Sequence, residues 1–415
     1  FYLGPEPETG PPPPTSGPAP APFPWVQPPQ SVCSTGNPVP EGWFDVTEYG
    51  AVADGETDNQ SAFLAAWDAA CDHIEDSTLF IPEGTFFVGP IVFAGPCHNN
   101  KSPKVILNGT LIAPTSLQAF KKDTWIMFRN LHDFHVCGGT GSKLLDGQAE
   151  KVWKSGQYHE KNYPRPVSLR FMDVLGGSLS NIRLSNSKFF HTSLLNCENI
   201  LVEGLQITAP ADSSNTDGIH LSRSTNITIA SSIIGVGDDC ISVGPGNTDV
   251  HIFNISCGPG HGISVGSLGK YQGEGDVARV RVENCTIIDT ANGIRIKTWP
   301  GSTTSKALNL TFENIVMNNA SRPIIIDQEY CPHQTCKPQK PSKVKLNNIV
   351  FRNIVGTSNT KPAVTLKCSS IVPCENVHLE DINLIYINED PEEPHEASLT
   401  VKGAINGLQI SNFQD

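Results

Sequence analysis

Long apolar runs are missing from this 415-residue chain. No stretch approaches the roughly 18 consecutive apolar residues that a bilayer-spanning helix needs, so a soluble protein with no membrane partner is expected. Basic residues are the minority charge: 29 Lys and Arg stand against 42 Asp and Glu, a formal net charge of -13. That balance argues against nucleic acid as a partner. No CxxC pair occurs, so no zinc site is expected. The first residue is Phe1, and no apolar segment of signal-peptide type follows it, so a leader is expected to have been removed or left out. Helical periodicity is also nearly absent, being confined to one segment near residue 60.

Turn formers and cysteine are abundant instead, with 36 Gly, 33 Pro and 12 Cys. Residues 1–41 hold 14 of the prolines, around "GPPPPTSGPAPAPFPW", and read as an extended polyproline-type arm. Cys33 stands where it would tie the end of that arm to the body. The cysteine count points to an oxidising compartment. Cys331 and Cys336 bracket a short loop, as do Cys368 and Cys374, and each pair reads as a local staple. Cys71 and Cys97 are further disulfide candidates, and the pairing of Cys33, Cys137, Cys197 and Cys285 is left open. Eight N-x-S/T sequons begin at Asn59, Asn100, Asn108, Asn226, Asn254, Asn284, Asn309 and Asn319. With the cysteines, they favour a secreted, extracellular protein.

The body, residues 42–415, is expected to be a single domain. It opens with a strand, Phe44 to Thr47, and a Gly/Asp turn. A helix follows from about Asp58, with Asp58 as N-cap and Phe63, Leu64, Trp67 and Cys71 as its apolar stripe. From about residue 165 the chain repeats itself: "NIRLSNSKF", "NILVEGLQIT", "NITIASSII", "DVHIFNIS", "VRVENCTII", "LNLTFENIVM". Starts at Asn181, Asn199, Asn226 and Asp249 lie 18, 27 and 23 residues apart. A period in the low twenties, with short strands and little helix, predicts an all-β solenoid, and a β-sandwich is the alternative. Leucine-rich repeats share the period, but their leucine consensus is missing. The helix would then cover the open end of the stack and its strand edges.

Four polar clusters fall along the repeat: "NTDGIH" with Asn215 and Asp217, "GDDC" with Asp238 and Asp239, "CGPGHGIS" with His261, and "NGIRIKTW" with Arg295 and Lys297. Asp217 and Asp238 are 21 residues apart, Asp238 and His261 23, about one coil each. Residues one coil apart stack at roughly 4.8 Å, so the clusters should form one line on one face. His261 and Arg295 are 34 apart, with "GSLGKYQGEGDVA" as an insertion between them. Carboxylates this close cannot all ionise cheaply. One then serves as general acid and another stays charged as base, the pair that glycoside hydrolysis uses. At Asp238 the strand should bend, turning both Asp238 and Asp239 to the cleft, where their repulsion keeps Asp238 protonated. Arg295 and Lys297 alternate with isoleucines and share a strand face, suited to gripping an anionic substrate. Tyr330 is placed less firmly beside them. His220 and His251 read as structural.

The ordered set "NTDG", "GDDC", "GHGISVGSLG", "RIKTWPG" resembles the signature of the plant-type polygalacturonases, glycoside hydrolase family 28. The likeness runs from about residue 43 to about 388, through "PIIIDQEYCPHQTC" and "CSSIVPCENVHLEDI". It implies a right-handed parallel β-helix that hydrolyses α-1,4-linked galacturonate with inversion, without metal or organic cofactor, and with pectin or polygalacturonate as its partner. Asp238 matches the general acid, Asp217 and Asp239 the carboxylates that activate water, and Asn215 a substrate-site residue. His261 matches the histidine that tunes the acid and contacts substrate. Arg295 and Lys297 match the pair that grips galacturonate carboxylates, and Tyr330 a subsite tyrosine. Cys240 and Cys257 look like the family's disulfide beside the site. "RIKTWPG" and the "IIIDQEYC" stretch are closer to exo-acting, pollen-type members than to endo-acting ones. Three features depart from the pattern: Val236 where many relatives have Thr, no cysteine after "EAS" near the C-terminus, and the proline-rich arm. A monomer is expected, since one solenoid buries its own core.

Overall fold

Short β-branched runs broken by Asn, Gly and Pro cannot continue as long strands, and here each break becomes a corner. The computed structural model describes residues 42–154, 163–332, 340–387 and 397–414. The arm with Cys33, and Cys336 with its expected staple to Cys331, lie outside those residues. The described chain coils into a parallel β-helix, in which every strand pairing is parallel and each coil contributes strands to three stacked faces. Among the described residues, no helix is long and apolar enough to cross a membrane.

The corners explain the asparagines. Asn199, Asn226, Asp249, Arg279, Asn309, Asn348 and Asn376 stand in successive register, all with φ between 53° and 59°. Asn and Asp tolerate this left-handed conformation because the short polar side chain bonds locally. The side chains also join coil to coil: Asn226 Nδ2 donates to Asn199 Oδ1 at 2.7 Å and Asn348 Nδ2 to Asn309 Oδ1 at 2.8 Å. Asn181 belongs to a second corner, in register with Gly204 and Asn254. The interval of 18 between Asn181 and Asn199 therefore spans two corners of neighbouring turns rather than one coil.

The face that carries the functional side chains is built from Thr192–Leu195, Ile219–Ser222, Ile241–Val243, Ile263–Leu268, Ile294–Thr298 and Ile324–Asp327. Ile219, Ile241, Ile263, Ile294 and Ile324 stack one above another inside the coil and are fully buried. Because strand side chains alternate, the residues after them, His220, Ser242, Ser264 and Arg295, form a polar row outside. The core is thus aliphatic along the stack, and aromatic where the helix caps it.

That helix, Gln60–Asp72, buries Phe63, Ala66, Trp67 and Cys71 over the first coils. The Trp67 indole N–H donates to the Ala94 carbonyl at 3.2 Å, and the Cys71–Cys97 disulfide fixes the helix end. Its N-cap residue is Asn59 rather than Asp58, although Asp58 Oδ1 still accepts from the Gln60 N–H at 3.1 Å. The Asn59 side chain holds the preceding loop instead, accepting from Val52 N–H and donating to the Val52, Thr57 and Phe87 carbonyls. Buried and fully hydrogen-bonded, Asn59 is not an accessible glycan acceptor in the folded chain, and its sequon gives no support for secretion. The first strand is Trp43–Asp45; Asp45 then accepts from Thr47 N–H, which starts a 3-10 turn where the strand was expected to continue. A second short helix, Glu150–Lys154, packs Val152 against Leu117.

Candidate active site

Register brings Asp217, Asp239 and His261 to the same position on consecutive coils, each two residues before a stacked isoleucine. Asp238 is thus one residue out of line, and a bend carries it. Gly237 makes the bend possible, since a Cβ there would collide with the Ser213 carbonyl. Gly262, at φ 80°, does the same for His261 against the Asn292 and Gly293 carbonyls. The Cys240–Cys257 disulfide, Cα atoms 5.9 Å apart, ties these two coils together. Cys368–Cys374 is also formed, while Cys197 and Cys285 are free and buried. Cys137 and Cys331 are disulfide-bonded as well.

The two neighbouring carboxylates have opposite environments. The Asp238 side chain is 18% exposed. Its Oδ1 lies 2.9 Å from His261 Nδ1 and accepts from Asp239 N–H at 2.9 Å, and its Oδ2 accepts from Asn215 Nδ2 at 3.1 Å. Asn215, itself at φ 55°, also accepts from Arg165 Nη1 at 3.4 Å. Asp239 lies on the same outer side but is 1% exposed. Its Oδ1 accepts from Ser264 Oγ at 2.8 Å and Arg295 Nη2 at 2.6 Å, its Oδ2 from Lys297 Nζ at 2.6 Å. Burial alone would raise its pKa; the Lys297 and Arg295 charges outweigh burial and bring it down to about 2.

Only one member of the pair is therefore partly open to solvent, and the other is held charged by the two cations. Two cations neutralise Asp239. They are also not both free for substrate: with Asp239 they make a cluster of net charge +1. Tyr330 closes over it, its ring centroid 5.3 Å from Lys297 Nζ and 5.8 Å from the Arg295 guanidinium. Trp299 packs edge-on against Tyr330 at 5.5 Å, with Lys270 Nζ 5.0 Å above Trp299.

Asp217 is the carboxyl under strain. Burial, then the charges of Asp238 and Asp239, push its pKa well above the usual carboxylate range, against the opposing pull of Lys297. Its Oδ2 is 2.7 Å from Ser242 Oγ. Ser242 in turn lies 2.8 Å from His220 Nδ1, so His220 is joined to the acids through a serine, which its sequence context did not suggest. The signal was the alternation "GIHLS", "CISVG", "GISVG", which sets His220, Ser242 and Ser264 in one outer row. His251 sits on another face, paired with Glu283 at 2.6 Å.

Oxygen and nitrogen atoms of Asp238, Asp239 and His261 lie within 4.8 Å of one another, a spacing within reach of a metal ion. The donor set does not fit one, because both Asp239 oxygens already take a cation.

Buried acids beside a half-buried one, a histidine and a cationic cluster make an arrangement on a β-helix that can do acid–base chemistry on an anionic substrate. The family model for glycosyl hydrolases family 28 matches residues 71–400, and the chain belongs to that family. An exopolygalacturonase of Arabidopsis thaliana is 43% identical over 375 residues, covering 90% of this chain and 85% of the relative. An exopolygalacturonase of Zea mays is 42% identical over 353 residues, 84% of each chain. Among solved structures, endo-xylogalacturonan hydrolase from Aspergillus tubingensis aligns over 87% of this chain and all of its own, at a TM-score of 0.74 and 23% identity. A Thermotoga maritima exopolygalacturonase aligns over 94% and 95%, at 0.72 and 15%. At such identities these two likenesses speak for the fold.

Proposed function

We propose that the protein is an exo-acting polygalacturonase that hydrolyses α-1,4-galacturonosyl linkages of pectin with inversion. The observation that carries this reading is Asp238, one carboxyl presented to the cleft by His261 and Asn215, with two more carboxyls in the row behind it. Asp238 protonates the leaving oxygen. Asp217, whose surroundings make it the stronger base of the other two, takes the proton of the attacking water. Asp239, held ionised, fixes a negative charge beside them, and the surplus positive charge of Arg295 and Lys297 receives a galacturonate carboxylate over Tyr330. Exo action is supported by the plant relatives, several of which bear the name exopolygalacturonase. Action outside the cell, in the wall, fits those relatives and the disulfides. We also propose a monomer, with the proline-rich residues 1–41 as an arm outside the catalytic body.

Chromatography of early products from polygalacturonate tests this. Galacturonate monomer from the first time points is expected, and oligomers appearing first would make the enzyme endo-acting. Asp238→Asn should lower kcat by roughly 10²–10⁴-fold with little change in KM, since proton transfer to the leaving group is lost. Unchanged kcat would remove Asp238 from the acid role.

A further inference from the structure

The turnover just described leaves a problem of proton traffic. Each hydrolysis deposits a proton on Asp217 and removes one from Asp238, yet Asp217 is 5% exposed and holds its proton strongly. Hydrolysis needs that carboxyl emptied before the next water can be activated.

We propose that Ser242 and His220 form a relay that carries this proton between Asp217 and solvent, making them positioning residues for the hydrolysis proposed above, on which reading the inference rests. The geometry is continuous: Asp217 Oδ2 to Ser242 Oγ is 2.7 Å, and Ser242 Oγ to His220 Nδ1 is 2.8 Å. A serine hydroxyl donates one hydrogen and accepts others, so it bonds both partners in either direction. With Asp217 protonated, the acid donates to Ser242 Oγ and Ser242 donates to His220 Nδ1, whose ring then carries its hydrogen on Nε2. The acid proton passes to Ser242 Oγ as the serine proton passes to Nδ1, leaving a carboxylate and an imidazolium. The imidazolium releases its Nε2 proton to water and becomes the Nδ1–H tautomer, which donates back through Ser242 to the Asp217 carboxylate. No bond other than these O–H and N–H bonds changes, and the water or buffer gains the proton that Asp217 loses.

The surroundings of His220 suit a transient carrier. Its ring stacks on Phe190 with centroids 4.5 Å apart, which fixes the ring plane. Gly244 lies along the Cε1–Nε2 edge, where a Cβ would come within 3.2 Å and 3.4 Å, so the glycine keeps a side chain from crowding that edge. The residue is partly exposed. Besides Asp217, the charged groups facing it are Lys297, Asp239 and Arg170. Burial first, then Lys297, lower its pKa to about 4, so an imidazolium formed there gives its proton away readily.

The test reads the free protein before it reads catalysis. ¹⁵N spectra of the imidazoles should show His220 neutral and changing tautomer, from Nε2–H to Nδ1–H, with the midpoint at which the Asp217 carboxyl ionises in ¹³C spectra. Ser242→Ala should abolish that change. One tautomer through the whole Asp217 titration would overturn the relay, whatever the enzyme's substrate proves to be. In turnover, Ser242→Ala and His220→Gln should each lower kcat about tenfold in dilute buffer with KM within about twofold, and added imidazole should restore the rate. Loss of rate that no buffer restores, with an unshifted pH profile, would also overturn it. Absence of galacturonate release by the unaltered enzyme would instead sink the hydrolase reading and leave the tautomer result standing.

Discussion

Asp217, Asp238 and Asp239 share a sequence type and almost a location, yet their neighbours give them different states. Asp239 keeps its charge because two cations face it. With its folded pKa near 2 against 3.8 ordinarily, it adds stability that is present above pH 3.8 and is lost as pH falls toward 2. Asp217 has the opposite sign. Its folded pKa is raised, so its contribution is full below pH 3.8 and is lost as pH rises through the folded value. Asp217→Asn should therefore raise the melting temperature at pH 7 and change it little at pH 3. Asp239→Asn at pH 7 should cost about 3–5 kcal/mol, because Arg295 and Lys297 would stay buried without their counter-charge. Calorimetry of the two variants checks the signs, and equal shifts in one direction would contradict the assignment. The adjacent pair of aspartates was legible in the sequence, but which one stays exposed was not. That depends on Gly237 meeting Ser213 and on cations 56 and 58 residues further along the chain.

At the scale of the element, the corner asparagines do what the strands cannot, turning the chain and joining one coil to the next. Asn348→Ala should destabilise by about 1–2 kcal/mol, losing both the left-handed preference and the bond to Asn309, whereas Asn348→Gly should cost less. Denaturant titration separates the two, and equal losses would mean that the side-chain ladder alone matters. The repeat was readable because its apolar positions recur, as in "IHL", "ISV" and "IRI". Its phase was harder to read, because asparagine marks two different corners of each coil, and the Asn181–Asn199 interval mixes them. The helix was placed from its stripe of Phe63, Trp67 and Cys71, but its N-cap was set one residue early. Asp58 and Asn59 are both capping types, and only the fold engages Asn59 with Val52 and Phe87.

Over the whole molecule, the stack converts residues far apart in sequence into one row, and the coil register decides who meets whom. Asp217, Asp239 and His261 lie at matched positions because the coils between them are 22 residues each, whereas the insertion before Arg295 lengthens the next one. That loop folds back on itself through Glu274, whose carboxylate accepts from Gly269 and Tyr271 N–H, and the strand register holds from Ile263 to Val265 before it shifts by one residue at Leu268. The line of clusters was thus readable from spacing alone. The pairing of Arg295 and Lys297 with Asp239 was not, since sequence spacing does not show how side chains divide their contacts. The measurement that tests the account most directly is ¹H NMR of polygalacturonate digestion, followed from the first turnover at the anomeric protons. Inversion at an exo-acting site predicts free galacturonate appearing first as the β anomer, before mutarotation, with no oligomers. The α anomer appearing first, or an unsaturated product, would contradict it.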